Sequence, residues 1–258
     1  MDRRLALVRR PSPKLAEGVL TYLERQPVDA DLAQRQWEHY REAFHRHGWE
    51  TVEAPPAPDC PDSAFVEDTM VVYSDLAVMA NPRVAERRAE LPGAEEAVRS
   101  LGYRVARIAD PGFLDGGDVL KFGGTVSVGL GGRTNEAGMH QLRDHLAPLG
   151  AHLVGIPLGP VLHLKSAVTA LADGTIVGRG SAVDDSIWPM YEEVPEPSGA
   201  HVVLLGPRIV LMAADAPRTA ASFRERGLVV EEVDISEFQK MEGTVTCLSV
   251  RLRGWTPR

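Results

Sequence analysis

Apolar residues recur three or four positions apart in four stretches of the chain, and each stretch ends at a glycine. In one of them, Leu142, Leu146 and Leu149 fall on a single helix face. A glycine directly after the last turn readily takes the left-handed backbone conformation that ends a helix. The pattern therefore predicts four amphipathic helices. They cover about residues 32–47, 84–101, 136–149 and 217–226, and they end at Gly48, Gly102, Gly150 and Gly227.

Short apolar stretches typical of strands follow each predicted helix, reading WETVEAP, YRVARI, AHLVGIP and LVVEEVDI. Longer apolar stretches lie between these segments. Two of them carry turn pairs at their centres, Gly123-Gly124 and Asp173-Gly174, as β-hairpins do. Residues 179–199 are rich in proline and acidic residues and are predicted to form a loop.

The order strand, strand, helix, strand thus recurs about five times, and the amino-terminal strand ALVRR completes the last unit. A unit of this size cannot bury its apolar face alone, so we expect the units to pack side by side in a closed ring. The sequence contains no linker and no low-complexity tract. It therefore predicts an α/β fold and one domain over residues 1–258.

Composition and charge limit the kinds of molecule that the protein is expected to bind. The 28 basic and 36 acidic residues give a net charge of −8, which disfavours nucleic acids and anionic membranes because both require clustered cations. No apolar stretch reaches the roughly 18 residues that span a bilayer, and residues 5–8 are too short for the core of a signal peptide. The two cysteines, Cys60 and Cys247, suit a reducing compartment. We expect a cytoplasmic protein.

An unusual polar residue follows each glycine-capped strand. Asp68 and Cys247 come twenty residues after the glycine that ends the preceding helix, and Asp115 and His163 come thirteen residues after theirs. Equivalent positions of a ring of equivalent units converge on its axis. We therefore expect these four side chains to share one cavity.

The four residue types make a consistent chemistry. A thiolate is a nucleophile, and a nearby histidine can lower its pKa and act as general acid and base. Carboxylates bind a planar cation through paired, charge-assisted hydrogen bonds. Glu67 and Asp68 interrupt an apolar stretch, and on a strand at least one of them would face inward. Nucleophilic substitution at the carbon of a guanidinium is the reaction that this set predicts.

Each residue also has a structural interpretation. Cys247 and His163 lie among apolar residues and could simply pack in a core. Asp115 and Asp118 flank two glycines and could cap a turn. The same cysteine, histidine and aspartates are acceptable zinc ligands, although no paired CxxC or HExxH spacing occurs. We predict no resident metal and no cofactor, with a zinc hydrolase as an alternative.

Several motifs, in their order and spacing, resemble the dimethylarginine dimethylaminohydrolases of the guanidine-modifying (pentein) superfamily. The resemblance extends from LALVRR at residues 5–10 to VTCLSVRL at residues 245–252. Between them lie PDSAFVEDTMVV, FLDGGDVL, VGLGGRTNEAG, LHLKSAVTAL and KMEGTVTCLSV. The resemblance implies a five-bladed α/β propeller with pseudo-fivefold symmetry of ββαβ units. It also implies a hydrolase that converts N-omega-methylated L-arginines to L-citrulline through a covalent cysteine thiouronium.

The resemblance also implies roles for individual residues. Cys247 matches the nucleophile, His163 the general acid and base, and Asp115 the carboxylate beside the guanidinium and the histidine. The other matches would bind substrate: Asp62, Glu67 and Asp68 as an acidic cluster, Arg87 and Arg133 near the substrate carboxylate, and Leu20 and Met241 as apolar contacts.

Other functions of the same fold remain open at this point. An arginine deiminase or an amidinotransferase would use the same chemistry, and a guanidino-compound binder would use the same cavity without turnover. In each case we expect a small-molecule partner and a monomer or homodimer.

Overall fold

Five three-stranded sheets form the framework of the structure, a computed structural model that describes residues 4–180 and 182–253. The strands are β1 (Arg4–Val8), β2 (Glu50–Glu53), β3 (Met70–Tyr73), β4 (Leu76–Met79), β5 (Arg104–Arg107), β6 (Val119–Phe122), β7 (Thr125–Leu130), β8 (His152–Pro157), β9 (Val168–Ala170), β10 (Ile176–Gly178), β11 (Tyr191–Glu193), β12 (Val203–Gly206), β13 (Ile209–Ala213), β14 (Val229–Val233) and β15 (Val250–Arg253). The α-helices are α1 (Ala30–Arg46), α2 (Leu91–Ser100), α3 (Glu136–Leu146), α4 (Pro217–Glu225) and α5 (Ser236–Gln239).

All five sheets share one topology. The central strand pairs antiparallel with one neighbour and parallel with the other, as in β6-β7-β8, where Val128 faces Val119 on one side and Gly155 on the other. The sheet β15-β1-β2 closes the ring, since the last strand pairs antiparallel with the first. The predicted α/β propeller of five repeated units is confirmed.

The helix ends also agree with the sequence pattern. Gly48, Gly102, Gly150 and Gly227 have φ angles of 72°, 85°, 81° and 78°, in the left-handed region that glycine adopts without steric cost. The second helix starts later than predicted. Residues Ala85–Glu90 form a 3-10 helix and α2 begins at Leu91, because Pro92 lacks an N–H group and is tolerated in the first turn of an α-helix.

The fourth unit departs from the repeat. Its sheet is β9-β10-β11, and the connection between β10 and β11 holds a short 3-10 helix, Asp185–Ile187, in place of an α-helix. The prediction of a loop over residues 179–199 was wrong in one respect. β11 lies within this segment and pairs in parallel with β10.

Apolar side chains fill the space between the sheets and the helices that pack on them. In α1, Trp37, Tyr40 and Phe44 are fully buried at spacings of three and four residues. Burial of each such side chain contributes about 2–3 kcal/mol. No helix within residues 4–180 and 182–253 is long and apolar enough to cross a membrane.

Each unit opens with a short turn directly before its first strand. Four of these turns are 3-10 helices, at Val66–Thr69, Gly116–Asp118, Leu164–Ser166 and Pro197–Ala200, and the fifth lies at residues 244–249, before β15. The turns at 66–69, 116–118 and 164–166 contact one another in sequence around the axis. This geometry brings residues far apart in the chain to one place.

Candidate active site

The predicted catalytic residues lie in or beside these turns. Asp68 is in the turn Val66–Thr69, Asp115 directly precedes Gly116–Asp118, and His163 directly precedes Leu164–Ser166. Cys247 lies in the turn before β15. The expectation that Glu67 and Asp68 lie on a strand was wrong, because the chain turns at these positions before β3 begins.

A small cavity of about 20 Å³ lies at the centre of this arrangement. Such a volume holds about one water molecule. The predicted site residues that line it are Asp62, Asp68, Arg87, Arg133, His163, Met241 and Cys247. Asp115 contacts this set through His163.

Two predicted substrate contacts lie outside the lining of this cavity. Leu20 packs against the core cluster that contains Cys247, and its neighbour Val19 lines the cavity instead. Glu67 lies on the other side of the turn from Asp68. It lines a second cavity of about 310 Å³, between the sheets, together with Lys165 and Arg251.

His163 is surrounded by carboxylates. Its Nε2 donates to Asp115 Oδ2 at 3.2 Å, and its Nδ1 lies 3.8 Å from Asp68 Oδ1. Burial alone would lower the pKa of His163, but the charges of Asp68 and Asp118 and the hydrogen bond to Asp115 raise that pKa to about 9. The imidazole is therefore protonated at neutral pH.

Asp68 is ionised despite its burial. Burial raises its pKa, but the charges of His163 and Arg87 outweigh this effect and bring the pKa to about 2. Arg87 Nη1 donates to Asp68 Oδ2 at 2.6 Å, and Gly117 N donates to Asp68 Oδ1 at 2.9 Å. One negative charge is thus fixed in the cavity.

Cys247 is 7% exposed, and its Sγ lies 3.4 Å from the Thr244 hydroxyl. Burial raises the pKa of this thiol to about 11, and the charges of Asp68 and Glu67 act in the same direction. The thiol is therefore protonated at neutral pH. A cation bound beside it would favour the thiolate.

The two predicted carboxylate-binding arginines differ in how fully they are engaged. Arg87 donates from Nε and Nη2 to both oxygens of Glu90, at 3.1 and 2.9 Å, besides its bond to Asp68. Arg133 donates to Thr21 Oγ1 at 2.9 Å and lies 3.9 Å from Asp115. Arg87 thus holds Asp68 in place, and Arg133 has more donors left for an anion.

A loop over residues 18–25 covers the cavity. Val19 N donates to Asp62 Oδ2 at 3.0 Å, and the backbone N–H groups of Thr21, Tyr22 and Leu23 donate to the carboxylate of Glu242. Since the cavity holds about one water molecule, it has to widen before a larger ligand can enter.

Sequence reasoning missed two residues of the site. Glu242 has a φ of 61°, which is uncommon for a residue other than glycine, and no sequence signal marks its contact with the loop. Asp118 was read only as a turn residue. Its Oδ1 accepts from Leu164 N at 2.9 Å and its Oδ2 from the Thr134 hydroxyl at 2.6 Å, so it joins the turns that carry Asp115 and His163.

Gly117 is required at its position because its backbone touches two of these groups. A Cβ atom there would lie 2.6 Å from both Asp68 Oδ1 and His163 Nδ1. We expect Gly117→Ala to lower kcat by roughly a hundredfold, since a displacement of about 1 Å has this effect on positioned groups. The measurement is steady-state turnover together with thermal unfolding.

Gly206→Ala serves as the control for this substitution. A methyl group there meets only the flexible end of Ile209, at 3.3 Å. Its kcat should equal that of the parent, and a Gly117→Ala enzyme with parental kcat would refute the close packing described above.

Within the two described ranges, no group of three or more His, Cys, Asp or Glu side chains could hold a metal ion. These residues therefore contain no set of side chains that could serve as the ligands of the alternative zinc site.

The fold is thus an α/β propeller of five units, and the candidate site lies where the turns of these units meet. No family model matches the chain. The chain is 57% identical over 254 residues, 98% of each protein, to an N(G),N(G)-dimethylarginine dimethylaminohydrolase of Streptomyces coelicolor. It is 31% identical to the protein of that name from Pseudomonas aeruginosa, over 95% of this chain and 98% of that one. The chain belongs to the dimethylarginine dimethylaminohydrolase family.

Solved structures agree with this assignment. A dimethylarginine dimethylaminohydrolase variant with glycine in place of histidine, in an adduct with S-methyl-L-thiocitrulline, matches with a TM-score of 0.90 and 30% identity, over 98% of this chain and all of that one. The N-terminal domain of the arginine dihydrolase ArgZ from cyanobacteria matches with a TM-score of 0.89 at 19% identity, over 99% of this chain and all of that one. At that identity the second match establishes the shared fold alone.

Proposed function

We propose that this chain hydrolyses N-omega-methylated L-arginines, namely asymmetric dimethylarginine and monomethylarginine, to L-citrulline and dimethylamine or methylamine. The observation that carries the proposal is the meeting of Cys247, His163 and Asp68 around one small cavity, in a chain 57% identical to a dimethylarginine dimethylaminohydrolase. Related structures that contain citrulline or an S-methyl-L-thiocitrulline adduct support the same substrate class.

Two carboxylates would bind the guanidinium. Asp68 is ionised and has one oxygen on Arg87. Asp115 is fully buried, and its Oδ1 has no hydrogen-bond partner, which leaves an acceptor for an N–H group. A planar cation between them would satisfy both.

Attack by the thiolate would be the first chemical step. The bound cation offsets the charges that hold the thiol protonated, so Cys247 releases its proton to solvent when substrate binds. Its Sγ then forms a bond to the guanidinium carbon, and the bond from this carbon to the methylated nitrogen breaks. His163 gives its proton to that nitrogen, and dimethylamine leaves. A cationic S-alkylthiouronium on Cys247 remains.

Hydrolysis would complete the reaction. His163, now neutral, takes a proton from water as the oxygen attacks the thiouronium carbon. The C–S bond then breaks, the electron pair returns to Cys247, and the remaining hydroxyl proton passes to this sulfur, which leaves the neutral ureido group of L-citrulline and the resting thiol.

The amino-acid end of the substrate would meet the other predicted residues. Arg133 is suited to the carboxylate because most of its donors are unengaged, and Asp62 is suited to the ammonium group. Met241 and Leu20 would contact the methylene chain. Glu67 lies below the cavity, so we propose that it acts on the substrate only through its charge.

The pH dependence of kcat/KM follows from the two shifted groups. At neutral pH the empty site holds protons on both His163 and Cys247, whereas the reactive state has one proton fewer. We therefore expect kcat/KM to rise about tenfold per pH unit from pH 7 toward about 9, where the first proton of the pair is lost. Initial rates at low substrate in constant ionic strength test this. A profile that is flat or falling between pH 7 and 8.5 would contradict the assignment.

Product analysis separates the proposed function from its alternatives. Asymmetric dimethylarginine, arginine and agmatine are supplied separately, and the products are identified by mass. We expect citrulline and dimethylamine from the first. Ammonia from arginine as the main reaction would indicate an arginine deiminase, group transfer to an amine an amidinotransferase, and no turnover with tight binding a non-catalytic binder. Activity lost on chelation would favour the zinc alternative.

For the cellular compartment, the binding partners and the oligomeric state we keep the predictions made from the sequence. Cys60 and Cys247 are both free thiols, which supports a cytoplasmic setting. A small-molecule substrate, no nucleic acid or membrane partner, and a monomer or homodimer stay our predictions.

A further inference from the structure

The turn that carries Cys247 is held largely by groups from outside the turn. Within it, Cys247 N donates to Thr244 O at 3.1 Å. The Tyr40 hydroxyl, from α1, donates to Val245 O at 2.7 Å, and Glu67 N donates to Cys247 O at 3.1 Å. Two further carbonyl groups, one on each side of the nucleophile, accept from a single arginine.

That arginine is Arg251, in β15. Its Nη1 donates to Thr246 O at 3.0 Å and to Ser249 O at 2.6 Å, and its Nη2 donates to Glu67 Oε1 at 2.7 Å. The side chain is 18% exposed, so these bonds form largely out of water. A planar guanidinium reaches three acceptors in different directions, and the single ammonium of lysine does not reproduce this geometry.

Charge is the second feature of this contact. Glu67 Oε1 also accepts from Lys165 Nζ at 2.7 Å, so two cations share one carboxylate and leave a net positive charge beneath the nucleophile. Glu67 opposes ionisation of Cys247. Without Arg251, Lys165 alone would balance Glu67, and this positive charge would be lost.

We propose that Arg251 is a positioning residue for Cys247, which clamps the carbonyl groups of Thr246 and Ser249 and offsets the charge of Glu67. This inference rests on the proposed function, in which Cys247 is the nucleophile. Arg251 does not line the cavity that Cys247 shares with His163, so it would act through the turn and through Glu67 and not on the substrate itself.

Other charged groups face the same thiol and stay in place when Arg251 is changed. Besides Glu67 below the turn, the charged residues around the cavity are Asp62, Asp68, Arg87, Arg133, His163 and Glu242. The effect of Arg251 on the ionisation of Cys247 is therefore measured as the difference in alkylation midpoint between each variant and the parent protein.

Two substitutions separate the clamp from the charge. Arg251→Lys keeps the charge and loses the geometry. We expect kcat to fall at least about tenfold, KM to change less than about threefold, and the pH midpoint of Cys247 alkylation by iodoacetamide to stay at the parental value. Arg251→Gln loses the charge as well. We expect a similar fall in kcat, and an alkylation midpoint at least about half a pH unit higher.

Peptide mass spectrometry measures the alkylation of Cys247 separately from that of Cys60. Trypsin cleaves after Lys240 and after residue 251 in the parent and in Arg251→Lys, and after Arg253 in Arg251→Gln. The matched control is Arg104→Gln, since exposed Arg104 pairs with Asp75 on the surface. Its kcat and alkylation midpoint should be parental.

The outcomes are distinct. Parental kcat and an unshifted midpoint in folded Arg251→Gln would overturn the inference and leave the role of Cys247 intact. If Arg251→Gln does not fold, Arg251→Lys decides: a parental kcat there overturns the inference, and a lowered kcat with an unchanged midpoint supports it. Undiminished turnover by Cys247→Ser would instead overturn the proposed function itself.

Discussion

Replacement of Cys247 by serine is expected to lower citrulline formation by at least ~10⁴-fold while the protein remains folded. A serine hydroxyl ionises far less readily than a thiol. In this cavity burial and two nearby carboxylates already raise the pKa of the thiol to about 11. His163 carries a proton at neutral pH and offers no base to the hydroxyl in the resting site. The measurement is citrulline release from asymmetric dimethylarginine under saturating substrate.

Cys60→Ser is the matched control. Cys60 is a partly exposed free thiol outside the lining of the cavity. This variant should keep the parental rate. Citrulline formation by Cys247→Ser at a rate near that of Cys60→Ser would show that the thiol of Cys247 is not the nucleophile.

The second large effect is expected for His163→Gly, in which turnover should fall by at least ~10³-fold. Dimethylamine is a poor leaving group unless it is protonated, and the later attack by water needs a base. S-methyl-L-thiocitrulline has methanethiolate as its leaving group, which departs without a proton from His163. With this compound Cys247 should still be alkylated, and the adduct should then persist. Intact-mass measurement over time, beside citrulline assays, follows both steps.

This prediction fails in two recognisable ways. Rapid citrulline formation by His163→Gly would remove the acid and base role from this residue. Absence of any adduct from S-methyl-L-thiocitrulline in a folded variant would indicate that His163 is also needed for the attack itself, against its assigned role.

The fold was largely predictable because its signals are local and repeated. A glycine that ends a helix is required by backbone conformation, and four such glycines, each followed by a short apolar stretch, already imply a repeat. The errors arose where local pattern and tertiary context differ. Pro92 shortened α2, and parallel pairing with β10 stabilises β11 in a segment that reads as a loop.

The site was predictable in part for the same reason. Because the repeated turns meet at the axis, equivalent spacing was enough to place Asp68, His163 and Cys247 around one cavity and Asp115 against His163. Spacing carries no information on which way two adjacent residues point. Glu67 and Asp68 accordingly face different cavities.

Long-range side-chain contacts left no trace in the sequence pattern. Glu242 binds backbone groups more than 200 residues earlier, and Arg251 joins its own turn to Glu67. Arg87 matches a substrate-binding residue by motif, yet Glu90 and Asp68 already accept from three of its donor atoms. Only the folded geometry shows these relations.

In the proposed reaction the sulfur of Cys247 forms a covalent bond to the guanidinium carbon. Wild-type enzyme is mixed with asymmetric dimethylarginine, quenched in acid within the first turnover, and digested for peptide mass spectrometry. We expect a transient adduct on the peptide of residues 241–251, with the mass of the substrate minus dimethylamine, that disappears as citrulline accumulates. Citrulline formed with no such adduct, or with the adduct on another residue, would contradict the proposed reaction.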